Sequence, residues 1–265
     1  MRISLTLLGT GTSSGVPMIG CDCPICTSPD PRDRRDRAGA MVRYPDASGV
    51  ERTVLIDTTP ELRHQMLRHR VKRLDAVTYT HAHADHVFGI DDLRPFNVAM
   101  KQPIDIYAEP SVCQWMRHSF AYIFEPHKNT NPSFVPQLLL HEVHAGVPFS
   151  IAGVSWTPIR LLHGRLPILG YRVADVAYCT DCSAIPPESY PALEGLDVLV
   201  IDALRYRHHP THMTVDQALA AIDHLQPRRA YLTHIAHDIL HADLEKHLPP
   251  NVTLAHDGLT LESPS

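Results

Sequence analysis

One short segment restricts the fold more than any bulk property. A hydrophobic, β-patterned run, Ala76-Val77-Thr78-Tyr79, leads directly into Thr80-His81-Ala82-His83-Ala84-Asp85-His86. In extended chain, residues i and i+2 point the same way. His81 and His83 therefore face one point just past the strand end. A turn through Ala84 carries Asp85 and His86 round to a second point nearby. Imidazole and carboxylate are natural ligands for Zn, Mn or Fe, and groups split two and two suit a pair of metals better than one. Such a pair needs more ligands, and each of three further positions follows an apolar, β-like run. His163 follows Trp156–Leu162, Asp181 follows Val176–Thr180, and His234 follows Ala230–Thr233. Polar ligands at strand ends gather along one sheet edge, where loops build sites.

The rest of the chain agrees with a layered fold. Strands are predicted at Ile3–Leu8, Ala40–Tyr44, Thr53–Asp57, Ala76–Thr80, Ile104–Ala108 and Leu138–Val143. Others are predicted at Ser155–Leu161, Leu169–Val173, Ala177–Thr180, Val198–Ile201, Ala230–Thr233 and Val252–Ala255. Each is short and bounded by turn-forming or polar residues. Helices are predicted at Thr59–Arg70, with Pro60 in the first turn, and at Ile90–Met100, where Pro95 interrupts. Three more are predicted at Ser111–Tyr122, Thr214–Leu225 with a capping threonine, and Asp238–Leu248. Many strands with helices between them predict sheets at the centre and helices outside. A chain of 265 residues can bury a sizeable core. No apolar run approaches the ~20 residues that span a bilayer, and the N-terminus is too short and glycine-rich for a signal peptide. A cytoplasmic location is expected, with reduced thiols. The net charge of −5 argues against a general nucleic-acid surface.

The cysteines cluster. Cys21-Asp22-Cys23-Pro24-Ile25-Cys26 can wrap three sides of a tetrahedral zinc and needs a fourth ligand. His237 is the candidate: it lies three residues after His234, so one turn could aim the two at different metals. Cys113, Cys179 and Cys182 read as core. The Gly9–Gly15 stretch lacks the Gly-Lys-Ser/Thr ending of a phosphate loop and reads as a turn into the cysteine loop. His208 and His209 read as solvent-facing.

The order His-x-His-x-Asp-His, lone His, lone Asp, final His resembles the metallo-β-lactamase superfamily, from about Leu5 to Leu261. The resemblance implies an α+β four-layer αββα sandwich forming a single domain over 1–265, with a Cys-rich zinc loop at about 20–27. It implies a dinuclear centre at one edge, with Mn²⁺ or Zn²⁺ in both positions. One metal would be held by His81, His83 and His163, the other by Asp85, His86 and His234, with Asp181 bridging. The cysteine pattern, preceded by Gly9-Thr10-Gly11-Thr12-Ser13-Ser14-Gly15-Val16-Pro17, resembles the PhnP-type phosphodiesterase branch, which includes phosphoribosyl cyclic phosphate phosphodiesterase. That branch implies a separate structural Zn²⁺ on Cys21, Cys23, Cys26 and His237. It also implies a histidine near the leaving group, for which His212 is the best match. The implied activity is metal-dependent hydrolysis of small, cyclic phosphodiesters by a metal-bridging hydroxide. Asp85 would orient that hydroxide and His212 would protonate the leaving alkoxide. The expected partner is a small phosphorylated substrate, with no membrane and no nucleic acid; a homodimer stays open. The alternatives are a transfer-RNA 3′-processing-type endonuclease and a thioester or lactone hydrolase of the same superfamily. After His86 the chain departs from the branch's pattern. Asp91, Asp92, Arg94 and Asn97 of that segment are expected to line or support the site mouth.

Overall fold

The computed structural model describes residues 2–125 and 134–263. Its strands begin with β1 (Ile3–Gly9), β2 (Gly39–Pro45), β3 (Glu51–Ile56), β4 (Ala76–Thr78), β5 (Ile104–Ala108), β6 (Leu138–Glu142) and β7 (Phe149–Ile151). They continue with β8 (Val154–His163), β9 (Leu166–Val173), β10 (Val176–Cys179), β11 (Val198–Asp202), β12 (Arg229–Thr233), β13 (Val252–Leu254) and β14 (Thr260–Ser263). The helices are α1 (Leu62–Arg68), α2 (Ala84–Val87), α3 (Arg94–Met100), α4 (Pro110–Ser119), α5 (Ala121–Phe124), α6 (Val215–Leu225) and α7 (His241–Leu244).

The strands form two seven-stranded sheets, ordered β14-β1-β2-β3-β4-β5-β6 and β13-β12-β11-β10-β9-β8-β7. Alternation along each strand explains the layers. Ala40, Val42, Val54, Ile56 and Ala76 enter the core between the sheets, with Trp156, Tyr171, Val198 and Val200 opposite. Their neighbours Met41, Leu55 and Val77 face outward onto Leu62, Met66, Phe96 and Met116 of the first helical layer. On the second sheet, Leu199 and Ile201 meet Val215, Ala218 and Ile222 of α6. Strands buried on both faces read as near-continuous apolar runs, which is how β11 reads. The result is the expected αββα sandwich. Between the sheets, Trp156 Nε1 donates to Tyr44 Oη at 3.2 Å, and Tyr44 Oη donates to the Ile151 carbonyl at 3.0 Å. The largest buried ring thus keeps its polar atom satisfied.

Strand direction gathers the site. β3-β4-β5 run parallel, as do β10-β11-β12. β8 reaches β10 through two antiparallel steps and so shares its direction. The carboxyl ends of β3, β4, β8, β10, β11 and β12 deliver the segments that follow them to one edge. There the two sheets are stitched together: Leu169 N donates to the Thr80 carbonyl at 3.0 Å, and Tyr171 Oη to the Tyr79 carbonyl at 2.7 Å.

Several elements differ from expectation for local reasons. α1 starts at Leu62 after a chain segment held elsewhere through Thr58: Thr58 N donates to the His86 carbonyl and Gly89 N to the Thr58 carbonyl. Pro60 therefore precedes the helix. A 3₁₀ turn over Ile90–Leu93 places Pro95 in the first turn of α3, where its missing N–H costs nothing. Phe120 separates α4 from α5 within the expected single helix. The last predicted helix shrinks to α7 and a 3₁₀ turn, Glu245–His247. β7 and β14 were not anticipated. Cys113, Cys179 and Cys182 are core, as expected. Within the Gly9–Gly15 stretch the turn falls at Thr12–Gly15, where Gly15 N donates to the Thr12 carbonyl at 2.8 Å. Gly9 ends β1 and Gly11 bridges to Arg37 and Ile235. A Cβ at these two would fall 2.0 Å from the Arg37 carbonyl oxygen and 2.8 Å from that of Arg35, respectively. Only glycine allows that approach.

α6 matches expectation, and Thr214 caps it reciprocally. Its Oγ1 accepts from Gln217 N at 3.2 Å while Gln217 Oε1 accepts from Thr214 N at 2.9 Å. Thr214→Ala is expected to lower stability by about 1 kcal/mol. The urea midpoint should fall with an unchanged denaturant slope.

Candidate metal centre

His83 is the residue before α2, and the first turn of that helix carries Asp85 and His86. This short helix is the turn foreseen through Ala84. It divides the donors: one set joins His81, His83 and His163, and a second joins Asp85, His86, Asp181 and His234. Within each set the donor atoms lie within 4.8 Å of one another. The sets adjoin, since the His81 and His86 rings are 4.2 Å apart. Asp181 reaches in two directions, with Oδ2 3.3 Å from His86 Nε2 and Oδ1 3.1 Å from His234 Nε2. Asp85 Oδ2 stands 3.3 Å from His86 Nε2.

The rings are held from behind. His81 Nδ1 is 2.9 Å from Thr80 Oγ1, His86 Nδ1 is 2.7 Å from Asp57 Oδ2, and His163 Nδ1 donates to the Thr211 carbonyl at 2.9 Å. His234 Nδ1 is 3.9 Å from Asp202 Oδ2. Fixing Nδ1 of His81, His86 and His163 this way leaves their Nε2 for a ligand, whereas His234 Nδ1 has no hydrogen-bond partner. The buried Nε2 atoms of His81, His86 and His234 have no hydrogen-bond partner. An orphaned buried polar atom costs about 1–3 kcal/mol, and divalent cations, one in each set, would satisfy all three. The donor chemistry and these orphans fit such an ion.

Electrostatics supports the same fit. Burial and the neighbouring His86 push His81 well below its ordinary pKa. For His86 burial acts downward, yet Asp181 and Asp57 hold it well above the ordinary value. For His234 burial again acts downward, and Asp181 leads the carboxylates that raise it to about 9. Burial opposes ionisation of Asp181, but His234 and His86 keep it well below the carboxylate range. The protons on His86 and His234 stand where a cation would, and metal binding would release them. Asp57, Asp181 and His234 also adopt left-handed backbone, with φ of 67°, 58° and 62°. Such strain concentrates at functional sites.

The cysteine loop closes on His237. His237 Nδ1 lies 3.3 Å from Cys21 Sγ and 3.5 Å from the Sγ atoms of Cys23 and Cys26. Tetrahedral bonds of the usual Zn–S and Zn–N lengths would set sulfur and nitrogen about 3.6 Å apart. Met18 N and Cys26 N donate to Cys26 Sγ and Cys23 Sγ, and the Cys26 N–H leads in lowering the Cys23 thiol to about 6. That donor favours a thiolate at Cys23, whereas burial raises the Cys26 thiol to about 11 against the Met18 N–H.

His212 stacks on His234, with rings 4.5 Å apart at 15°, and lies 4.7 Å from the His163 ring. Its Nδ1 is 2.7 Å from Asp202 Oδ2. Sequence reasoning missed Asp57 and Asp202 as functional positions, although both carry the signal that exposed His163, a polar residue ending an apolar run. Asp91, Arg94 and Asn97 do not line the centre. Asp91 bonds Tyr122 Oη, Arg94 the Phe134 carbonyl, and Asn97 the backbone of Gln102 and Gln137. Arg94 and Asn97 fasten the α3 region to the chain entering β6, and Asp91 ties the preceding 3₁₀ turn to α5.

A family model described as the beta-lactamase superfamily domain matches residues 52–235. The chain belongs to this superfamily. Its fold is that of the crystal structure of a new diphosphatase from the PhnP family, at TM-score 0.90 and 43% identity, covering 99% of this chain and 98% of that one. Zn(2+)-bound PqqB from Methylobacterium extorquens shares the fold at TM-score 0.76 and 20% identity, covering 97% and 99% of the two chains. A curated relative, the octanoyltransferase of Porphyromonas gingivalis, is 40% identical over 255 residues, 96% of this chain and 50% of the relative. The chain spans about half the length, or less, of the curated relatives it matches. No helix among the described residues is long and apolar enough to cross a membrane.

Asp57→Ala removes an anchor without removing a donor of either set. Divalent-metal affinity is expected to fall about 10–100-fold, measured by competition with a chromogenic chelator.

Proposed function

We propose that this protein is a two-metal hydrolase of small phosphodiesters, with linked diphosphates in its range. One observation carries the reading: Asp181 contacts His86 and His234 of the second donor set and also comes within 4.8 Å of His163 of the first, and buried Nε2 atoms in both sets lack partners. The side chains assign themselves by position. His81, His83 and His163 would hold one divalent ion, Mn²⁺ or Zn²⁺; Asp85, His86 and His234 would hold the other; Asp181 would bridge. Cys21, Cys23, Cys26 and His237 would hold a third ion, a structural Zn²⁺. Ions in the paired sites would supply an activated water and neutralise phosphate oxygens. Phosphorus rather than carbonyl chemistry is favoured by the likeness to the PhnP-family diphosphatase over nearly the whole of both chains.

His212 supplies the proton in this reading. Burial, then His234, pushes its imidazole down to about 3. Burial raises Asp202 well above the carboxylate range, with Asp181 adding to it and His234 opposing. The 2.7 Å contact between His212 Nδ1 and Asp202 Oδ2 holds one proton that belongs to the pair. The other imidazole hydrogen then sits on Nε2, beside the donor sets. From there it passes to the leaving oxygen as Nδ1 keeps the shared proton.

Purified protein should carry about three metals per chain by elemental analysis and hydrolyse bis-p-nitrophenyl phosphate. Normal turnover by a metal-quantified His83→Ala protein would sink the reading. His212→Ala should keep full metal content while kcat falls about 10²–10⁴-fold. Preference for thioesters over phosphodiesters would replace the phosphorus reading with a carbonyl one.

A further inference from the structure

The chain between β11 and α6 carries a second imidazole beside His212. The His209 ring is 5.1 Å from the His212 ring, which is itself 4.7 Å from His163. A row of imidazoles thus runs outward from the donor sets to a half-exposed His209, contrary to the expectation that it simply faces solvent. Thr211 fixes the orientation of this ring. Its N–H donates to His209 Nδ1 at 3.4 Å, and its Oγ1 lies 3.1 Å from the same nitrogen. A backbone N–H can only donate, so Nδ1 is the unprotonated nitrogen. The hydrogen of the neutral ring sits on Nε2, and no acceptor for it is present among the described residues.

The support beneath His209 is rigid. The Thr211 carbonyl accepts from His163 Nδ1, so one residue fixes a donor-set ring and the outer ring together. Gly164 packs closely below, where a Cβ would stand 3.0 Å from Thr211 Cγ2 and 3.4 Å from the Pro210 carbonyl oxygen. Arg205 donates to the carbonyls of Arg207 and His208. A donor held this firmly binds an anionic oxygen with little ordering cost.

We propose that His209 is a substrate-binding residue whose Nε2–H donates to an oxygen of a second phosphoryl group. Substrates with two linked phosphates would seat one at the donor sets and the other against His209. This rests on the hydrolase reading above. The test compares kinetics of the Mn²⁺-loaded wild type, His209→Ala and His209→Gln on bis-p-nitrophenyl phosphate and on P1,P2-di(adenosine 5′) diphosphate. His209→Ala should raise KM for the diphosphate about tenfold, with kcat and the diester kinetics nearly unchanged. His209→Gln, which retains an N–H at the same reach, should restore most of the loss. Equal KM effects on both substrates, no effect on either, or a glutamine variant as impaired as the alanine would overturn the proposal. So would a wild type that cleaves the diester and leaves the diphosphate intact. A wild type that cleaves neither removes the hydrolase reading and this inference with it.

Discussion

The buried carboxylate of Asp57 is the contact on which the site depends. It directly follows β3, its side chain without solvent exposure, and engages Thr80 N, Thr80 Oγ1 and His86 Nδ1. Thr80 in turn touches His81 Nδ1. One acid just past one strand therefore sets two imidazoles supplied by the next. Burial drives its carboxyl above the ordinary range, and His86 opposes that shift. The proton between Asp57 and His86 belongs to the pair rather than to either residue. A backbone φ of 67° at this position is tolerated because the surrounding bonds over-determine it.

Much of the architecture was legible because two-sided burial leaves a plain mark. Val198-Leu199-Val200-Ile201 serves two cores with alternate residues and so shows no polar face. The His81–His86 segment was legible because ligand-type residues at that density after a strand have few other uses. Asp57 and Asp202 were not, since a single acid at a strand end looks the same whether it anchors a histidine or faces water. Only the partner, distant in sequence, tells the two apart. β14 was hidden because its outward positions, Thr260 and Glu262, are exposed and its run is brief. The start of α1 escaped because Thr58 is claimed by the backbone of His86 and Gly89, contacts without a local sequence signature.

The cysteine loop and the histidine cluster are mechanically joined. Ile235 N donates to the Thr10 carbonyl at 2.9 Å, and Thr12 N donates to the Ile235 carbonyl at 3.2 Å. Ile235 lies between His234 and His237, so this pairing registers both histidines against the segment that leads to Cys21. The close approaches at Gly9 and Gly11 let that segment lie where it does. A cysteine cluster without a catalytic role can thus set the placement of His234.

The donor sets are drawn from chain positions 81 to 234 and from both sheets. An ion held between His86 and His234 would act as a cross-link between the two halves of the sandwich. It would close a loop of well over a hundred residues, and by the loop-closure relation that removes about 4–5 kcal/mol of freedom from the unfolded chain. The ions that equip such a protein for hydrolysis would thus also serve as its tether, in place of a disulfide.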